Sequence, residues 1–192
     1  ILISAEAGTL SVRRANLERL YGAGNPSINY DLPIIIVQSA ADFADALKWC
    51  QQAHEARQFH TVALDSLSEI GEVVLNTQKR VFKDPRQAYG GMAEQMESSV
   101  RAFRDLPGRN VIFTAKMEGT KDELSGVVRF GPSMPGRKLG PALPYFFHEV
   151  FRLAIGKAAD GQPFRYLQTQ PDIQFDAKDR SGALAPMEPG AR

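Results

Sequence analysis

Cysteine occurs once, at Cys50, in a chain of 192 residues. That excludes an internal disulfide framework and any cysteine-rich metal site. Three histidines, scattered along the chain, do not make a zinc constellation. Net charge is almost absent as well, because 23 Lys and Arg stand against 22 Asp and Glu. Any nucleic-acid binding must therefore come from local clusters and not from a globally basic field. No apolar run approaches membrane-spanning length, and Ile1-Leu-Ile-Ser meets Glu6 too soon for a signal peptide. A soluble, cytoplasmic protein without a membrane partner is expected. An initiator Met is lacking too, and the opening in mid-strand reads as a truncation. What is present is 43% hydrophobic, enough for one ordinary globular domain with a substantial core.

The chain is organised around the stretch from His60 to Glu69. Thr61 to Leu64 form a short apolar run that ends on Asp65 and turns through hydroxyl residues. Such a run suits a strand buried on both faces, and an acid at its carboxyl end stands where open α/β sheets bind ligands. In a nucleoside triphosphatase of the P-loop class, an Asp so placed holds Mg²⁺ through water. The plainer reading is that Asp65 only caps the helix beginning near Ser66. Residues Asp65 to Glu69 alone leave both open.

The rest of the chain repeats the pattern. Ile1 to Ala5 is a buried-type strand ending on Glu6, with Gly8 permitting the turn. Ser11 to Tyr21 reads as a short helix stopped by Gly22 to Pro26, and Ile34 to Val37 as a second β-branched strand. Ser39-Ala-Ala-Asp42 is a capping box that launches a helix with Phe43, Leu47 and Cys50 at helical spacing. Leu67 to about Val81 is a further helix, leading into the basic stretch Lys79, Arg80, Lys83 and Arg86. From Gln87 to Leu106 the stripe Tyr89, Met92, Met96, Val100 and Phe103 predicts a core-facing helix ended by Pro107-Gly108. Asn110 to Thr114 is a strand leading to Lys116. Alternation of this kind predicts an α/β fold with a mostly parallel sheet, and it puts Glu6, Asp65 and Lys116 at strand ends along one edge. Beyond Lys116 the span from Glu118 to Pro141, rich in Gly, Pro and charge, reads as a functional or mobile loop. Asp160-Gly161, between Phe151 to Ile155 and Phe164 to Gln168, predicts a β-hairpin. Lys178-Asp-Arg180 precedes a Gly/Ala/Pro-rich end expected to be poorly ordered.

This order of strands, acids, basic stretch, helix and Lys116 resembles the three-layer αβα core of RecA-type recombinases, the span from Ile34 to Ile70 especially. Gly131 to Gly136, the Leu143-Pro144 helix, and Tyr166 to Thr169 through Ala177 to Arg180 look like the RecA-like nucleotide-binding proteins of bacteriophages, which act in single-strand annealing and recombination. The resemblance implies a RecA-like ATPase core over residues 1–180 and a flexible tail over 181–192. It also assigns roles. Glu6 matches the acid that orients or activates the attacking water. Asp65 matches the acid that positions Mg²⁺, with Ser66 beside it in the nucleotide site. Lys116 occupies the strand end where the class keeps a polar sensor, often Gln; Lys departs from that pattern, and a cation there could contact phosphate directly. Lys178 and Arg180 match a Lys-x-Arg pair that RecA-like rings insert into the neighbouring subunit's nucleotide site. ATP and Mg²⁺ are the implied cofactors. Single-stranded DNA and further copies of the chain, in a ring or filament, are the implied partners, with a single-strand DNA-binding protein a candidate third. The host cytoplasm is the setting if the protein is phage-encoded.

One part is missing. No Gly-x-x-x-x-Gly-Lys-Ser/Thr occurs, and Gly131 to Lys138 has the wrong spacing. Either a phosphate loop lies upstream of Ile1, as the mid-strand start favours, or the chain is a relative that cannot hydrolyse ATP. Because the phosphate-loop strand is central in this class, its absence predicts a hole in the sheet. Two segments mix cations with aromatic rings as single-strand binding requires: Lys79, Arg80, Lys83 and Arg86 around Phe82 and Tyr89, and Lys121, Arg129, Arg137 and Lys138 around Phe130. Glu118, Asp122 and Glu123 dilute the second. Solvated turn acids and surface cations remain the plain alternatives for each of these residues. At the level of the whole chain, the readings are an ATP-dependent recombination or annealing protein, a nucleotide-gated DNA-binding or assembly module without hydrolysis, and a small-molecule kinase. The kinase would need a lid with clustered arginines, and the late Lys-x-Arg pair fits subunit contact better.

Overall fold

The computed structural model describes residues 1–6, 9–121, 123 and 126–189. The turn assigned to Gly8, the diluting charge of Asp122 and the last three residues of the tail lie outside the described residues. The chain forms two compact units, one of residues 1–116 with 134–136, the other of 117–133 with the remainder.

The first unit begins with β1 (Leu2–Ser4), a 3₁₀ turn at Thr9–Val12 and α1 (Arg14–Tyr21), which ends at Gly22 with φ +81°. It continues through β2 (Ile34–Ile36), α2 (Ala40–Gln52), β3 (Thr61–Asp65), α3 (Leu67–Val81), α4 (Pro85–Arg104) and β4 (Asn110–Phe113). All four strands are parallel in the order β2-β1-β3-β4. The expected hole is not there. β3 hydrogen-bonds directly to both β1 and β4, so the sheet is contiguous, and among the described residues β2 and β4 are its outer strands.

Register decides the faces. Ile35, Ile3, Leu64 and Phe113 lie in one row across the sheet, and Ile3, Leu64 and neighbouring Val62 are fully buried. Helices α2, α3 and α4 pack on one another, and α3 lies against β3. Phe43 of α2 stacks on Phe103 of α4 at 5.5 Å between centroids. The opposite row runs Ile34, Leu2, Ala63, Ile112, and its outer residue Ile112 is half exposed. One residue further along, Ile36, Ser4 and Asp65 are in register. That pairing sets Asp65 beside the end of β1.

The helices start where their caps dictate. The Ser39 hydroxyl accepts from Asp42 N–H at 3.1 Å, and the Asp42 carboxylate accepts from Gln38 N–H at 2.9 Å, which holds its pKa below the usual carboxylate range. The Ser66 hydroxyl caps α3. Asp84 caps α4 by accepting from Arg86 N–H at 2.8 Å, with Pro85 at the first position, so this helix begins two residues before the expected Gln87. Its buried stripe is Ala88, Met92, Met96, Val100 and Phe103, and Tyr89 is displaced from the core to the surface. Gly71 of α3 lets the chain return closely at Met134–Gly136: a Cβ there would lie 2.9 Å from Met134 Cε and 2.9 Å from Pro135 Cδ.

The second unit corrects the loop expected between Glu118 and Pro141. β5 (Met117–Lys121) and β6 (Val128–Pro132) pair antiparallel, with the Phe130 ring lying across Gly119. A loop reading overlooked that glycine can serve a strand by admitting a large ring from its neighbour. A single turn α5 (Leu139–Ala142) and a 3₁₀ turn at Leu143–Phe146 follow. β7 (Glu149–Val150) precedes β8 (Arg152–Lys157) and β9 (Pro163–Gln168), which form the hairpin expected around Asp160-Gly161, with Gly161 at φ +81°. β10 (Lys178–Asp179) pairs with β7. β11 (Met187–Pro189), inside the tail expected to be poorly ordered, pairs with β9. Among the described residues no helix is long and apolar enough to cross a membrane.

Candidate functional site

The carboxyl ends of β1, β3 and β4 bring Glu6, Asp65, Ser66 and Lys116 together, and the first turn of α3 knits them. Ser66 Oγ donates to Glu6 Oε1 at 2.7 Å. Glu6 N–H donates to Ser4 Oγ at 3.2 Å, which fixes the backbone just beyond β1. On the other side of Asp65, Thr114 Oγ1 donates to Asp65 Oδ1 at 2.5 Å, while Thr114 N–H continues the ladder to Leu64 O at 3.0 Å. Leu67 N–H donates to Thr114 O at 2.8 Å and Lys116 N–H to Ser68 Oγ at 2.9 Å, so the segment after β4 is bound to the start of α3. The Asp65–Ser66 peptide bond is cis.

Lys116 is not free. Its ammonium forms an ion pair with Glu69 Oε1, in the first turn of α3. The hydrogen bond to Glu69 raises the Lys116 pKa above the ordinary lysine value, with smaller help from the charges of Glu69, Glu6 and Glu72. Thr114, Glu69 and Ser68 are the site residues that sequence reasoning missed. A hydroxyl directly after β4 and an acid three residues beyond Ser66 were the available signals.

Among the described residues no group of three His, Cys, Asp or Glu side chains could hold a metal ion. A single carboxylate with one oxygen tied to Thr114 instead fits Mg²⁺, which keeps several waters and takes its other ligands from substrate phosphates. Asp65 would hold it.

Lys178 and Arg180 belong to the second unit. Burial lowers the Lys178 pKa, and the Arg180 charge lowers it further. Between them Asp179 organises the turn that follows, accepting from Ser181 Oγ at 2.5 Å, Ser181 N–H at 2.8 Å, Gly182 N–H at 3.1 Å and Leu184 N–H at 2.9 Å. These bonds, the Ser181 hydroxyl first, hold its carboxyl down at about 2.

The two basic segments differ. Lys79 and Arg80 in the last turn of α3 and Lys83 and Arg86 around the start of α4 are all exposed at one corner, with Phe82 and Tyr89 exposed beside them. Lys79 Nζ stands 5.7 Å from the Tyr89 ring centroid. α3 has fifteen residues, so this corner lies about 22 Å from Ser66 along the helix. In the second unit, Lys121, Arg137 and Lys138 are exposed, but Arg129 faces Asp176 at 3.8 Å. The Phe130 ring is engaged by Gly119 and by the Arg152 guanidinium, 5.6 Å from its centroid, so base stacking there would have to displace a packed neighbour.

A family model described as an AAA domain matches residues 1–181. No curated protein and no solved structure matches the chain.

Proposed function

The chain belongs to the AAA domain family of P-loop nucleoside triphosphatases, and from that premise we propose that it binds and hydrolyses Mg²⁺-ATP as an oligomer on single-stranded DNA, in recombination or strand annealing. The observation that carries the hydrolytic part is the convergence of Glu6, Asp65 and Lys116 at the ends of three strands of one parallel sheet. Phosphoryl transfer asks a protein for positioning and charge stabilisation more than for covalent chemistry. In the proposed reaction a water oxygen bonds to the γ-phosphorus as the bridging P–O bond breaks and ADP leaves with the electron pair. Glu6 accepts the water's proton. Mg²⁺ at Asp65 would neutralise phosphate charge, and Lys116, once released from Glu69, supplies a cation to the phosphate oxygens. The DNA part is supported by the corner of Lys79, Arg80, Lys83 and Arg86 with its two exposed rings, and by the resemblance to recombinases. The trans role of Lys178 and Arg180 is supported by that resemblance and by the turn that Asp179 fixes behind them.

The test is a pair of variants in the full-length protein. Asp65→Ala should weaken Mg²⁺-dependent ATP binding, whereas Glu6→Gln should spare binding and cut turnover about 10²- to 10⁴-fold. Equal loss of ATP affinity in both would count against the assignments. A second reading, a nucleotide-gated DNA-binding module without hydrolysis, is favoured by one observation: no phosphate-loop motif occurs in the 192 residues. Nucleotide binding and DNA binding without turnover would establish it.

A further inference from the structure

A serine hydroxyl has one proton to give and two lone pairs to receive. At Ser66 both kinds of capacity are in use. The oxygen receives Glu69 N–H at 3.5 Å as the N-cap of α3, and the proton goes to Glu6 Oε1 at 2.7 Å. Ser66 is only 4% exposed and Ser4 only 1%, so neither hydroxyl competes freely for water. Glu6 lies past the end of β1, outside the sheet ladder, and without side-chain partners nothing in the strand would fix its carboxylate. Ser4 pins its backbone and Ser66 pins its side chain.

From this geometry we infer that Ser66 is a positioning residue for Glu6, an inference that rests on the hydrolytic reading above. Its hydroxyl holds Oε1 and leaves Oε2 to accept from the attacking water, so the cap that starts α3 also sets the aim of the base. The role is directed at Glu6 and not at the nucleotide or its metal. A helix cap is a rigid support, and misplacing a catalytic group by about 1 Å costs about 10²-fold in rate.

The experiment measures ATP turnover and ATP affinity, with a fluorescent ATP analogue, in the full-length protein with Mg²⁺. Ser66→Ala should lower kcat about 10- to 100-fold, on the order of that misplacement penalty, with nucleotide affinity nearly unchanged. Ser66→Thr, which keeps the donor, should recover most of the rate. Ser66→Gly separates capping from positioning, because Gly is well tolerated at an N-cap but has no hydroxyl to give Glu6. It should melt close to the unaltered protein yet turn over as poorly as Ser66→Ala. Three results would overturn the inference alone: full turnover in Ser66→Ala, full turnover in Ser66→Gly, or a loss of ATP affinity in Ser66→Ala that matches the loss of rate. Absence of turnover in the unaltered protein would instead overturn the hydrolytic reading, and this inference with it.

Discussion

Thr114 and Asp65, 49 residues apart in sequence, share a hydrogen bond of 2.5 Å at the ends of two adjacent parallel strands. The Thr114 hydroxyl occupies Asp65 Oδ1 and leaves Oδ2 to serve a ligand. A partner of this kind orients a metal-holding carboxylate without touching the metal, and removing such a partner typically costs about 10- to 100-fold in affinity or activity. Thr114→Val is therefore expected to raise the Mg²⁺ concentration needed for half-maximal ATP binding by about 10-fold, less than Asp65→Ala does. Titration of bound nucleotide against Mg²⁺ measures it, and an unchanged midpoint would reduce the hydrogen bond to strand packing.

The basic corner predicts a salt dependence. Removing Lys79 and Arg80 together should weaken single-stranded DNA binding and flatten the log–log salt slope by about 0.7 for each phosphate that is no longer neutralised. The same measurement on Arg137→Ala with Lys138→Ala tests the second segment. If neither slope moves, Lys79 and Arg80 serve only the carboxyl end of α3, whose dipole favours cations.

Arg180 predicts complementation. Arg can hold phosphate oxygens in a planar fork, whereas Lys offers a point charge, so Arg180→Ala should lose more turnover than Arg180→Lys while binding changes less. Asp65→Ala and Arg180→Ala, each inactive alone, should regain part of the activity when mixed, because some interfaces join an intact Asp65 site to a neighbour's intact Arg180. Mixed oligomers that form without any recovery would leave the pair a structural one.

Asp179 predicts an acid limb. Its folded pKa, about 2, lies below the ordinary 3.8, so the stabilisation is present above the higher value and is lost as pH falls through the lower one. The turn from Asp179 to Leu184 should therefore open between about pH 4 and pH 2. Asp179→Ala, which removes both acceptor oxygens, should open it already at neutral pH. Amide chemical shifts of Ser181, Gly182 and Leu184 followed against pH report the transition.

The parallel sheet and the site acids were legible because buried strands leave continuous apolar runs. Thr61 to Asp65 and Ile34 to Ile36 are such runs, and Ser39 announced its helix by capping chemistry, whereas the cap of α3 is Ser66 and not the Asp65 considered for it. The strand order was not legible: only the register of Leu2 with both Ile34 and Ala63 closes the sheet that was expected to be broken. The β5–β6 hairpin was hidden because its glycines read as loop residues until Phe130 is seen across Gly119. The pairing of Lys116 with Glu69, 47 residues apart, depends on two strand ends meeting one helix start, and no local pattern encodes that.

The close return of the chain at Met134–Gly136 decides how this protein can be dissected. A fragment ending at Lys116 keeps all four parallel strands, yet it leaves the notch at Gly71 bare of Met134 and Pro135 and takes Gly136 from beneath the Tyr89 ring. The natural seam thus follows packing and not chain order. A gene cut after Lys116 is expected to yield a piece with faster amide exchange around Gly71, and a separately supplied 117–192 piece should restore slow exchange there.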